Sequence, residues 1–122
     1  KLKFIINKRR KNISLYRKYI KTNNIILPKE DIYNYDSYVM MVSRCKNRDK
    51  LQKFLQTKGI QTLIYYGTPL HLHKASKVLG YKKGDFPVAE KLCSEVLSFP
   101  HHQHLKPNEI KYISNCINKF YD

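Results

Sequence analysis

Long apolar runs, clustered glycines, paired cysteines and acidic residues are what this sequence lacks. No stretch reaches about 18 consecutive apolar residues, the length a membrane-spanning helix needs, so no such helix is expected. The opening Lys1–Ile6 is apolar-rich but too short for a signal peptide, and no small-residue cleavage site follows it. The 4 glycines are dispersed and build neither a Gly-x-Gly-x-x-Gly turn nor a P-loop, which removes the usual phosphate cradles. The 3 cysteines, Cys45, Cys93 and Cys116, lie far apart with no Cys-x-x-Cys pair. Free thiols in a reducing cytosol are the simplest reading, and a cytoplasmic location goes with it. No internal repeat or low-complexity linker divides the chain. It begins at Lys1 and not at Met, as expected of a cut or processed chain.

What is present is enough for one domain. The chain has 122 residues, of which 42% are hydrophobic, and a domain of this length buries roughly two-thirds of the surface its unfolded chain exposes. Lysine and arginine number 24 against 9 acidic residues, a net charge of +15. Such a balance suits an anionic partner: nucleic acid, an acidic membrane surface or a phosphorylated substrate. Compositional drift explains it as well, because lysine, asparagine, isoleucine and tyrosine are abundant together, as AT-rich codons produce. The basic residues are scattered, and the densest run, Lys8-Arg9-Arg10-Lys11, lies in a helical pattern. That scatter weighs against nucleic acid.

Periodicity predicts the elements. Asn7 to Thr22 reads as an amphipathic helix with Ile13, Tyr16 and Ile20 at helical spacing. Tyr35 to Ser43 reads as a largely buried strand. Asn47 is placed to cap a helix whose core face is Leu51, Phe54 and Leu55, closed by a left-handed Gly59. Ile60 to Tyr66 reads as a second strand. Gly67-Thr68-Pro69 then turns the chain into a short helix ending near Gly80. Gly84-Asp85-Phe86-Pro87 leads into a helix through about Glu95, with Asp85 near its N-terminus. Leu97 to Pro100 is extended and His101 to Leu105 is loop. Pro107 opens a last helix in which Ile110, Ile113, Ile117 and Phe120 recur at spacings of three and four. The fold class expected is α/β or α+β, a small sheet covered by helices.

Residue chemistry alone identifies no reaction. His71 and His73 form one histidine group and His101, His102 and His104 another, but neither has metal-ligand spacing or a cysteine pair, so no metal site is expected. Cys93 and Cys116 sit in helical patterns, where an inert core thiol is the usual role. No lysine stands in the apolar or glycine-rich setting that a Schiff-base lysine needs. The most informative stretch is Gly59 to Leu72. There a strand ends in Tyr65-Tyr66, and a Gly-Thr-Pro turn swings His71 outward. Phenols and an imidazole at a strand-to-loop edge suit a binding mouth; a packed turn in which the tyrosines cover the core is the plainer alternative.

That stretch resembles the DegT/DnrJ/StrS sugar aminotransferases, whose small domain carries a Gly-Ile strand, a His-Tyr pair and then Pro-Leu-His-Leu. The matching residues are Gly59-Ile60, Tyr65-Tyr66 and Pro69-Leu70-His71-Leu72. Tyr65 stands where the family often has histidine. Arg9-Arg10 with Tyr16 resembles the start of the family's long linking helix. Tyr38 and Arg48-Asp49 match in the right order. Gly84-Asp85-Phe86-Pro87-Val88-Ala89-Glu90, followed by Val96-Leu97-Ser98-Phe99-Pro100, resembles the family's C-terminal signature. The resemblance runs from about Lys8 to Tyr121.

The resemblance implies the C-terminal small domain of a type I PLP-dependent aminotransferase, with residues 1–24 as linking helix and 25–122 as the small domain. It implies transfer of an amino group from glutamate to a nucleotide-linked keto sugar, in a homodimer whose sites lie between subunits. A few relatives replace the catalytic lysine and act as dehydratases. The lysine, the pyridine-facing aspartate and the phosphate-binding residues would lie in a large domain. No catalytic or cofactor-binding residue is therefore assigned here, and PLP is not expected on this fragment alone. Tyr65, Tyr66 and His71 are the substrate-binding candidates. The rival expectation is a stand-alone basic module that grips nucleic acid or a protein partner. On the family reading, a face towards the large domain would leave apolar area exposed in this fragment.

Overall fold

The computed structural model describes residues 1–122. They run in the order α1 (Leu2–Tyr19), β1 (Ile25–Ile26), β2 (Val42–Cys45), α2 (Arg48–Thr57), α3 (Pro87–Glu95), β3 (Val96–Ser98) and α4 (Pro107–Tyr121), with two 3-10 stretches, Leu70–Leu72 and Lys74–Leu79, between α2 and α3. Helices from the two ends of the chain pack together. The apolar stripe of α4, with Ile110, Ile113 and Ile117, meets Ile13 and Tyr16 of α1 in one buried cluster with Leu51, Leu55, Leu97 and Phe99. Each such fully buried side chain contributes about 1.5–3 kcal/mol of burial free energy. A single amide ties the helix ends: Asn118 donates to the Tyr19 carbonyl at 2.9 Å and accepts from the Lys21 N–H at 2.9 Å. No helix is long and apolar enough to cross a membrane.

The sheet has the order β1-β2-β3 and both pairings are antiparallel, with Ile25 opposite Cys45 and Ser43 opposite Leu97. This is the α+β form of the expected class, a small sheet covered by helices. Helix α4 starts as its sequence predicts, with Pro107 in the first turn and the Glu109 carboxylate accepting the Lys106 N–H at 2.7 Å.

Four expectations are corrected. Helix α1 occupies Leu2–Tyr19 rather than 7–22. Its first turn leaves Leu2 and Phe4 exposed, so no buried periodicity marks it. The expected strand over 35–43 is only Val42–Cys45. Upstream, side chains take the hydrogen bonds a ladder would use: Asp36 accepts the Tyr38 N–H at 2.7 Å, and Tyr38 sits at φ 48. The expected strand over 60–66 reduces to one bridge, Leu63 with Ser98. Asn47 stands at the N-cap position without a side-chain cap bond; it adopts the left-handed conformation at φ 54, which asparagine tolerates.

Candidate functional site

Gly59, at φ +72, reverses the chain after α2. Ile60 and Thr62 then turn inward, and Leu63 exchanges both backbone hydrogen bonds with Ser98 at 3.1 and 2.8 Å. This one bridge pins the segment to β3, and beyond it the chain leaves the sheet. At Gly67 a side chain would crowd Ile64, with Cγ2 only 3.1 Å from an added Cβ. The turn at Pro69 then feeds the 3-10 stretch that carries His71.

The three candidates come together. Tyr65, Tyr66 and His71 line one groove of about 610 Å³, with Phe86, Ala89 and Cys93 supplied from the next turn and α3. The tyrosines are open to solvent, 48% and 62% exposed. Against the expectation of an outward histidine, the His71 side chain is only 8% exposed. Its Nε2 lies 3.1 Å from Glu90 Oε1, and its ring packs on Phe86 at 4.8 Å. Phe86 is backed edge-on by Tyr81 at 5.0 Å.

Glu90 anchors this arrangement. Its carboxylate is held below the usual range chiefly by the Gly84 N–H, 2.7 Å from Oε1, with further help from His71 and the Phe86 amide, while partial burial opposes them. Asp85, expected at the N-terminus of α3, instead accepts the Lys82 N–H at 2.8 Å. The first-turn carboxylate of α3 is Glu90. Sequence reasoning met Glu90 only inside a longer motif. The available signal was a carboxylate in the first turn after Pro87, where it reaches back to loop amides.

A second concavity, about 450 Å³, adjoins the first through Tyr65 and includes Arg9, Gln61 and His102. Arg9 was singled out only as the start of a helix motif, yet its Nε is enclosed without a partner. The other histidines are dispersed. His101 is buried with Nε2 at 2.7 Å from the Tyr38 carbonyl, and His73 meets the Thr68 carbonyl at 3.2 Å. No three histidine, cysteine or acidic side chains are grouped as metal ligands would be.

A model of the DegT/DnrJ/EryC1/StrS aminotransferase family matches residues 1–118. The chain is 37% identical over 116 residues to the "Pleiotropic regulatory protein" of Geobacillus stearothermophilus, covering 93% of this chain and 31% of that protein. It is 31% identical over 115 residues to the dTDP-3-amino-3,6-dideoxy-alpha-D-galactopyranose transaminase of Aneurinibacillus thermoaerophilus, again covering 93% and 31%. The chain therefore spans about a third of the length of these relatives. The crystal structure of S. venezuelae DesV in complex with a ketimine intermediate shares the fold, with a TM-score of 0.90 over 97% of this chain and 32% of that one, at 24% identity.

Proposed function

This chain belongs to the DegT/DnrJ/EryC1/StrS aminotransferase family, and from that premise we propose that it forms the substrate-facing part of a PLP-dependent enzyme that moves an amino group from glutamate to a nucleotide-linked keto sugar. Residues 1–24 serve as the linking helix, residues 25–122 as the small domain, and two copies make the working enzyme. The observation that carries the reading is the gathering of Tyr65, Tyr66 and His71 around one groove. Phenol hydroxyls and an imidazole give a sugar hydrogen-bond partners of both senses on a mostly apolar wall.

The groove does not fit PLP by itself. None of its lining residues is a lysine to hold the aldehyde, an arginine to face the phosphate or a carboxylate to face the pyridine nitrogen. On this reading those groups come from polypeptide outside residues 1–122. The chain's own part is to bind and orient the sugar. The likeness to the Aneurinibacillus dTDP-sugar transaminase supports that substrate class.

The charge of +15 raises the rival reading of a nucleic-acid module. Arg10, Arg17, Arg44 and Arg48 spend their guanidinium groups inside the chain, on Glu30, the Pro28 carbonyl, Glu95 and the Val96 carbonyl. Those four groups are engaged within the chain rather than held free for a phosphate backbone. The deciding experiment compares this chain with a polypeptide extended by its upstream coding region. Visible absorbance from bound PLP and glutamate-dependent amination of a dTDP-keto sugar are expected only in the extended form. Salt-sensitive retention on heparin with oligonucleotide binding, and no amination in either form, would overturn the reading.

A further inference from the structure

We propose that Glu90 is a positioning residue: its carboxylate holds His71 in the Nε2–H form and leaves Nδ1 as a lone-pair acceptor for a ligand hydroxyl in the groove. The inference deepens the reading above, on which the groove takes a sugar.

The argument starts from hydrogen-bond bookkeeping. Glu90 Oε1 already accepts the Gly84 N–H at 2.7 Å, and it stands 3.1 Å from His71 Nε2. An ionised carboxylate has only acceptor sites, so the imidazole must donate from Nε2. The environment keeps Glu90 in that state, since the hydrogen bonds to it favour the charged form. In a neutral ring, Nδ1 is then bare. His71 Nδ1 has no hydrogen-bond partner in the chain, and it is not among the enclosed atoms left unpaired. It therefore keeps access to solvent, in a ring that lines the groove.

The same carboxylate also sets where the ring sits. It joins three segments: the 3-10 stretch carrying His71, the turn at Gly84 and the first turn of α3. Phe86 closes the other side of the imidazole at 4.8 Å. The ring can neither rotate away nor exchange tautomers without losing the Glu90 contact. A sugar hydroxyl that donates to Nδ1 meets a preorganised acceptor, whereas a ligand offering only acceptors there is refused. Such a carboxylate–imidazole pair sets donor and acceptor sense, which is a matter of specificity.

Long-range proton–nitrogen correlation NMR on the isotope-labelled full chain reads the protonated nitrogen of each histidine. In its neutral form His71 is expected as Nε2–H with Nδ1 bare. Glu90→Met keeps length and removes the acceptor; the ratio of Nε2–H to Nδ1–H should fall by about tenfold, the weight of one charge-assisted hydrogen bond. Glu90→Gln keeps an acceptor oxygen without the charge and should retain part of the ratio. If Glu90→Met does not fold, Glu90→Asp, which withdraws the carboxylate by one methylene, should give the same fall. An Nδ1–H tautomer in the wild type, or a ratio unmoved by loss of the carboxylate, overturns the proposal.

Titration with dTDP-glucose separates this inference from the function it rests on. A shift of the His71 Nδ1 resonance that weakens in Glu90→Met supports both. A tautomer set by Glu90 with no response to the nucleotide sugar upholds the positioning role and counts against the sugar-nucleotide reading. A response at His71 with a tautomer indifferent to Glu90 does the reverse.

Discussion

Tyr16 joins α1 to the segment just beyond β3: its hydroxyl donates to the Pro100 carbonyl at 2.6 Å and its ring stacks on Phe99 at 6.3 Å. Tyr16→Phe keeps the packing and strands that carbonyl, so denaturant unfolding should show a loss of about 1–2 kcal/mol. Burial also pushes the Tyr16 phenol well above its ordinary value. A raised folded pKa contributes stability that is fully present below the unfolded value, about 10, and is lost as pH rises through the folded one. Tyr16→Phe should therefore flatten the alkaline limb of a stability–pH curve. Glu30 has the opposite sign. Hydrogen bonds from Arg10, at 2.6 and 2.7 Å, hold its carboxyl below the usual range. Its contribution is present above the unfolded carboxylate pKa and lost as pH falls through the depressed one. Amide protection over residues 30–38, measured relative to the intrinsic exchange rate at each pH, should fall in acid, and Glu30→Gln should lower it at neutral pH already; an unchanged protection profile would remove Arg10–Glu30 as its anchor.

At the scale of elements, helix α2 is bracketed by two left-handed residues, Asn47 and Gly59. An added Cβ at Gly59 meets nothing within 4 Å, so only its backbone angle opposes a side chain. Gly59→Ala should cost about 1–2 kcal/mol in thermal or denaturant unfolding, whereas Asn47→Gly should be tolerated because glycine adopts the same angle freely. Gly59 was legible from its place after the last periodic residue. Asn47 was misread, since a side-chain cap and a left-handed asparagine occupy the same position in sequence. The strands were the least legible elements. Residues 35–41 carry the apolar and aromatic composition of a strand, but Asp36, Glu30 and Arg10 divert their backbone groups. Composition reports what a segment could bury and is silent about who takes its hydrogen bonds.

Seen whole, the molecule has one well-filled core and one bare lobe. Between residues 65 and 92 only Pro69 is buried, while Leu70, Val78 and Val88 are each more than 70% exposed. Exposed large apolar side chains on a free chain invite association. Concentration-dependent self-association in sedimentation, with uptake of a hydrophobic dye, is expected; a monomer that binds no dye would show that this lobe does not behave as a docking face. The sequence by itself determined the helices with three-and-four spacing, the left-handed close of α2 and the α+β class, and it singled out Tyr65, Tyr66 and His71 as candidates, because each is a local pattern or a short motif. Only the tertiary structure decided that these three share a groove, that His71 faces inward onto Glu90 19 residues away, and that two expected strands shrink to four residues and a single bridge. Those outcomes depend on which distant group meets each hydrogen-bonding atom, and a one-dimensional pattern does not contain that information.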